Sequence, residues 1–168
     1  MTKILFVCHG NICRSPMAEF CLKDMAARQG AAGRFEIESA ATSREELGNP
    51  VYPPARRKLL AAGIGTPDNE LGVSRKRSRL LTKADYGSFD LIICMERYNV
   101  RNALRILGSD PEGKIHLLME YADGADAGEA PRDVADPWYT GDFDEAWQDV
   151  RAGCEGLLKR LQADDRYR

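Results

Sequence analysis

A thiol and a guanidinium, Cys8 and Arg14, bracket the stretch Val7-Cys8-His9-Gly10-Asn11-Ile12-Cys13-Arg14-Ser15-Pro16. A cysteine thiol is nucleophilic as its thiolate, which a helix N-terminus, a ring of N–H dipoles and a nearby arginine all favour. A guanidinium keeps its charge throughout a reaction and offers a planar fork that matches two oxygens of a phosphoryl group. Cysteine, five residues, arginine is thus a spacing for nucleophilic attack on a bound oxyanion. Gly10 lets the backbone approach that anion without a Cβ in the way, and Asn11 tolerates left-handed backbone angles. Ser15 has two candidate roles: helix N-cap, with Pro16 at the first helical position, or hydroxyl donor to the Cys8 sulfur.

The flanking residues supply the elements that such a loop needs. Lys3-Ile4-Leu5-Phe6-Val7 is a short apolar run that reads as a buried strand, and Pro16-Met17-Ala18-Glu19-Phe20-Cys21-Leu22 reads as the first turns of a helix. Strand, loop and helix N-terminus together form an anion cradle, because unpaired N–H groups and the positive end of the helix dipole converge there.

The rest of the chain alternates in the same way. The pattern predicts a helix from 16 to about 28, a strand over 35–38, a polar loop over 42–54 and a helix over 54–62 stopped by Gly63. Thr82 is a plausible N-cap for a short helix to about Tyr86. The run over 90–95 is the most hydrophobic in the chain and suits a central strand buried on both faces. A helix over 99–107, a strand over 115–118, a long loop over 120–141 and a helix over 143–161 complete the reading, with 164–168 expected to fray. Alternating strands and helices argue for a single α/β domain, a parallel sheet covered by helices on both faces. Ligands of such sheets bind outside the carboxyl ends of the strands, which is where Cys8 to Arg14 falls.

Composition narrows the class. At 168 residues with 43% apolar content, the chain suits one compact unit spanning 1–168. A formal charge of −2 gives no reason to expect nucleic acid or an anionic membrane as partner. No run of about 18 apolar residues and no signal-peptide pattern occurs, so a soluble, cytoplasmic protein is expected. Five cysteines and two histidines, with no Cys-x2-Cys pair, suit neither a disulfide framework nor a structural zinc site. Cys21, Cys94 and Cys154 read as small buried hydrophobes. The basic run Arg75-Lys76-Arg77-Ser78-Arg79 is either a solvated face or a docking patch for acidic substrates.

A thiolate attacking phosphorus needs help to expel an alkoxide or phenoxide, and a carboxylic acid near the bridging oxygen supplies it. Asp136 stands in the long loop, followed by a proline that fixes the local backbone and by two aromatics. Spacing alone leaves Asp133, Asp142 and Asp144 as competitors.

The loop from Val7 to Pro16 resembles the phosphate-binding loop of the low-molecular-weight protein tyrosine phosphatases. Glu38-Ser39-Ala40-Ala41-Thr42-Ser43, Leu81-Thr82-Lys83-Ala84-Asp85-Tyr86, Phe89-Asp90-Leu91-Ile92-Ile93-Cys94-Met95-Glu96, Asn99 and Asp136-Pro137-Trp138-Tyr139 resemble further blocks of that family, in its order. The resemblance implies a four-stranded, flavodoxin-like version of the fold and a metal-free, cofactor-free hydrolysis of phosphotyrosine through a phosphocysteine. It implies Cys8, Arg14 and Asp136 as catalytic residues. It implies His9, Gly10, Asn11, Ile12, Cys13, Arg14 and Ser15 as the phosphate-binding loop. Tyrosine-phosphorylated proteins are the implied substrates, with inorganic phosphate as product and inhibitor.

Trp138 and Tyr139 then read as walls of the entrance, sandwiching a substrate ring; the alternative is that they pin the loop to the body. An aromatic-lined depth favours phosphotyrosine over the shorter phosphoserine. Ile12 points the same way, since the related protein arginine phosphatases typically carry threonine there. Glu45 stands where animal members place a wall tryptophan, His9 where the family is often apolar, and Ser74 where many members carry histidine. One side of the entrance should therefore be more polar and more acidic. Cys13 is either a packed loop residue or a reversible disulfide partner for Cys8. Two other readings are weighed. Thiol-dependent arsenate reductases share the fold and the Cys-x5-Arg loop but relay oxidation through a further cysteine pair; Cys94 has no second partner over 95–107. A non-catalytic anion-binding module would not need Cys8, Arg14 and Asp136 together.

Overall fold

The structure is a computed structural model that describes residues 1–123 and 130–168. Residues 124–129, within the loop expected over 120–141, lie outside the described residues. Four strands, β1 (Thr2–Cys8), β2 (Phe35–Ala41), β3 (Leu91–Cys94) and β4 (Ile115–Leu117), form one parallel sheet in the order β2-β1-β3-β4. The helices are α1 (Arg14–Arg28), α2 (Pro53–Ala61), α3 (Asp85–Ser88), α4 (Arg97–Leu107), α5 (Pro137–Thr140) and α6 (Phe143–Ala163). No helix among the described residues is long and apolar enough to cross a membrane.

The pleat of β1 divides the core. Side chains alternate between faces, so Ile4, Phe6 and Cys8 join the cluster built with α1, α2 and α6, while Leu5 and Val7 join the one built with Phe89, Ala103 and Leu107. Burial on both faces is why this strand carries no polar alternation. In register, Cys8 lies beside Ala41 of β2, and Val7 beside Cys94 of β3. The chain leaves β1 for β2 on one side and returns to β3 on the other, so the carboxyl end of β1 is the switch point of the sheet.

Several boundaries differ from the sequence reading. Helix α1 begins at Arg14, two residues before Pro16, with Cys13 as a cap that makes no side-chain hydrogen bond. Pro16 is tolerated there because its missing N–H falls among the unpaired groups of the first turn. Ser15 is therefore helical and not the N-cap. Strand β2 continues past Glu38 to Ala41, where Ser39 and Ala40 are fully buried against β1. Helix α4 starts at Arg97 because Glu96 caps it, its own N–H donating to Asn99 Oδ1 at 3.1 Å. Thr82 stands outside α3, and its N–H and hydroxyl both donate to the Asp85 carboxylate. The one-turn helix α5 lies inside the stretch read as loop. Where fraying is expected, Asp165–Tyr167 makes a 3-10 turn capped by Asp164, and Tyr167 packs against the core.

Helix α6 approaches the 3-10 turn Leu118–Glu120 closely through Gly153 and Gly156. A Cβ on Gly156 would be driven into the backbone carbonyl of Tyr121, and one on Gly153 into the Leu118 side chain. Alanine gains about 1 kcal/mol of helix propensity over glycine, but overpacking against backbone costs more. We expect Gly156→Ala to lower the unfolding free energy by a net amount on the order of 2 kcal/mol, read as a lower denaturant midpoint at unchanged slope.

Candidate active site

The loop after β1 is held by a buried hydrogen-bond relay that ends on the Cys8 sulfur. Asn11 adopts φ 57° and so turns its own N–H back to Cys8 Sγ at 3.3 Å. Its side-chain amide donates to Ser15 Oγ at 2.8 Å and to Ser39 Oγ at 2.9 Å. Because Ser15 already accepts from Asn11, its own proton is free to point at Cys8 Sγ, 3.0 Å away. Ser39 donates in turn to Glu19 Oε1 at 2.7 Å. The sulfur is thus met by a backbone N–H and a hydroxyl, and that hydroxyl is in turn oriented by the Asn11 amide.

The basic run supports this relay from outside. Lys76 Nζ donates to the carbonyl of Ser39 at 2.8 Å and lies 3.4 Å from Glu19. Burial pulls the Lys76 ammonium below its ordinary value, and Glu19 works against that pull. Ser78 donates to the carbonyl of Gly10, and the Arg79 N–H donates to Asn11 Oδ1. The Arg79 guanidinium grips both oxygens of Asp85 and reaches Glu38. Lys76 and Arg79 are thus internal braces, and only Arg75 and Arg77 of the run are exposed.

Arg14 is 3% exposed. Its Nη2 donates to Asp136 Oδ2 at 3.1 Å and to Glu96 Oε1 at 3.2 Å, and its Nη1 reaches the Val134 carbonyl at 3.4 Å. Burial alone disfavours the charge, but Cys8, Glu96 and Asp136 outweigh it and hold the guanidinium above its ordinary value. Asp136 also caps α5, accepting the Trp138 N–H on Oδ1 at 3.0 Å. Its competitors are engaged elsewhere: Asp133 accepts the Arg97 N–H, Asp142 caps α6, and Asp144 pairs with Lys58.

These groups converge on one cavity of about 580 Å³. Cys8, His9, Gly10, Asn11, Ile12, Cys13, Arg14, Glu45, Asp136, Trp138 and Tyr139 all line it, and Ser15 lies beneath, against the sulfur. A Cβ on Gly10 would approach Glu46 to 3.3 Å. Glu46, Glu96 and Tyr98 also line the cavity and were not among the sequence candidates. Glu96 had one legible signal, its spacing of three from Asn99 before an apolar helix; Glu46 and Tyr98 had none. Tyr98 stacks with His9 at 6.1 Å, and His9 Nε2 meets Glu45 at 3.2 Å. Trp138 leans on Tyr52 at 5.5 Å while Tyr139 is 86% exposed. Trp138 therefore both pins its loop and lines the cavity. Ser74 is remote from the cavity, bonded to Glu70.

Burial, then the neighbouring Cys8 and Asp136, push the Cys13 thiol up to about 12. Cys13 is accordingly a neutral thiol at physiological pH.

The sequence pattern described as low molecular weight phosphotyrosine protein phosphatase matches residues 3–167. The low molecular weight protein-tyrosine-phosphatase YfkJ of Bacillus subtilis is 36% identical over 98% of both chains, and its crystal structure superposes with a TM-score of 0.86 over 98% of this chain and 97% of that one. The human low molecular weight phosphotyrosine protein phosphatase is 32% identical over 94% of both chains. The structure of SP-PTP, the low molecular weight protein tyrosine phosphatase of Streptococcus pyogenes, is 38% identical and matches with a TM-score of 0.79 over 99% of this chain and 97% of that one. With its sheet order, its cradle after β1 and these similarities along nearly its whole length, the chain belongs to the low molecular weight phosphotyrosine protein phosphatase family.

Proposed function

We propose that this chain hydrolyses phosphotyrosine in proteins through a covalent phosphocysteine. The observation that carries the reading is the convergence of the Cys8 sulfur, the Arg14 guanidinium and the Asp136 carboxylate on one cavity at the carboxyl end of β1. Cys8 Sγ attacks phosphorus, the bond from phosphorus to the ester oxygen breaks, and Asp136 delivers its proton to that oxygen. A water molecule then attacks phosphorus from the same side, Asp136 takes up its proton, the S–P bond breaks, and inorganic phosphate leaves. Arg14 and the loop N–H groups bind the equatorial oxygens, so the charge stabilisation comes from fixed donors and needs no metal. Phosphate, the product, competes for the same donors and inhibits.

The walls support the choice of phosphotyrosine. Trp138, His9 and Tyr98 all line the cavity and offer flat faces to an aromatic ring, and Cys8 is 3% exposed, which favours a long phosphotyrosine over a short phosphoserine. Glu45 and Glu46 make one rim acidic. Ile12 offers the cavity no hydroxyl. Cys13 stands as a disulfide partner for an oxidised Cys8, tested by non-reducing peptide mapping after peroxide. Five free cysteines fit a reducing, cytoplasmic setting.

The direct test is hydrolysis of p-nitrophenyl phosphate, a phosphotyrosyl peptide and its phosphoseryl counterpart in the presence of a metal chelator. Wild type should turn over the first two and spare the third. Asp136→Asn should lose about 10²-fold or more in kcat. Chelator-sensitive turnover, or equal rates on both peptides, would remove the reading.

A further inference from the structure

The Arg14–Asp136 contact cannot hold the carboxylate in place during the reaction proposed above, because the substrate phosphoryl group competes for the same guanidinium. Once Arg14 turns to its ligand the Trp138 N–H still meets Asp136 Oδ1, but that contact is local to the same loop, and the backbone that carries both must be held from elsewhere. Asp136 ends a segment, residues 130–136, that crosses from the β3 side of the molecule to α5. On the β3 side the segment is tied twice: the Val134 N–H donates to the Met95 carbonyl at 2.8 Å, and the Asp133 carboxylate accepts the Arg97 N–H at 3.0 Å. On the opposite side it meets Asp149 of α6. Asp149 is 4% exposed, and its carboxylate accepts both guanidinium nitrogens of Arg132, with one contact at 2.8 Å. The same carboxylate accepts the N–H of Ala135 at 3.1 Å. Ala135 is the residue immediately before Asp136.

We propose that Asp149 and Arg132 are a positioning pair, a clasp from α6 that aims the Asp136 carboxylate at the leaving oxygen when Arg14 is occupied by phosphate. Neither side chain touches the cavity, so they act through the backbone at Ala135. Aspartate suits the task because its two oxygens serve a bidentate guanidinium and a backbone N–H together. Displacing a catalytic group by about 1 Å is enough to cost on the order of 10²-fold in rate. The clasp is local to the acid: the relay that orients Cys8 runs through Asn11, Ser15, Ser39 and Glu19 and shares no residue with it.

The consequence is selective. Losing the clasp should slow expulsion of leaving groups that need a proton and spare those that depart readily as anions. The proposal rests on Asp136 as the acid, and the experiment separates the two. kcat/KM is measured across aryl phosphates from p-nitrophenyl phosphate to phenyl phosphate and phosphotyrosine, for wild type, Asp149→Ala, Arg132→Gln, Asp136→Asn and the double variant Asp136→Asn with Asp149→Ala. Asp149→Ala should lose about tenfold or more on phosphotyrosine and about threefold or less on p-nitrophenyl phosphate. Arg132→Gln should shift in the same direction, and the inhibition constant for phosphate should stay at the wild-type value. In the Asp136→Asn background, Asp149→Ala should cost nothing further.

An equal loss on every substrate, an unchanged leaving-group dependence, or a full additional loss in the double variant would each overturn the clasp. If Asp136→Asn itself leaves the leaving-group dependence at its wild-type steepness, the acid assignment fails, and the clasp falls with it. Arg132 is 60% exposed in its side chain, so Arg132→Gln decides the matter alone should Asp149→Ala not fold.

Discussion

Cys8→Ser is expected to abolish turnover while leaving anion binding in place. Serine keeps the size of the side chain and the hydrogen bonds from the Asn11 N–H and Ser15, now made to oxygen instead of sulfur. It does not keep the nucleophile. A hydroxyl needs a general base to attack, and in the proposed first step Asp136 is the acid on the leaving oxygen, which leaves the serine without one. Loss of a covalent nucleophile typically costs on the order of 10⁴-fold or more in kcat. Phosphate affinity rests on Arg14 and the loop N–H groups and should change little. Steady-state hydrolysis and phosphate binding by calorimetry, on the same preparation, check both halves. Residual activity within about tenfold of wild type would deny Cys8 its role; loss of phosphate binding as well would mean that the loop had collapsed.

Arg14→Ala should be nearly as damaging, for a different reason. The guanidinium is the buried cation between two carboxylates, Glu96 and Asp136, and the donor to the Val134 carbonyl. Removing it takes the main positive charge from the phosphoryl site and leaves the two acids facing each other without a counterion. Loss of a single preorganised donor costs about 10²- to 10³-fold, and a charged bidentate one sits at the upper end or beyond. We expect kcat/KM to fall by about 10³-fold and phosphate inhibition to weaken in parallel, the signature of lost oxyanion binding. Arg14→Lys is the instructive companion: it returns the charge without the fork, so it should recover part of the binding and little of the rate. If Arg14→Ala weakened catalysis while leaving phosphate inhibition intact, the arginine would be bracing the loop and not binding the anion.

Much of this site was legible because it is local in the chain. Cys8 to Arg14 spans one loop between a strand and a helix, and its chemistry follows from residue types at short spacing. The strand's double burial shows in an uninterrupted apolar run, and the order of elements follows from alternating periodicities. The errors fall where local pattern competes with packing. Pro16 suggested a helix start that the structure sets at Arg14, since a proline in the first turn is as acceptable as one at its first position. Helix α5 was invisible because one turn of four residues has no periodicity, and it exists through the cap that Asp136 provides.

What the sequence by itself determined is the candidate nucleophile, the strand–loop–helix cradle around it and the α/β class, because each depends on neighbours within a few residues or on repeating hydrophobic spacing. Tertiary structure decided which carboxylate shares the cavity with Cys8 and Arg14. Spacing left Asp133, Asp136, Asp142 and Asp144 open, and only packing of residues more than a hundred positions apart brings Asp136 to Arg14 and engages the others elsewhere. It also set Lys76 and Arg79 of the basic run as braces for the loop, brought Tyr98 and Glu46 to the cavity, and set Asp149 against Ala135. Such contacts depend on how helices settle on the sheet, a sum of many small packing terms that no short stretch of sequence carries.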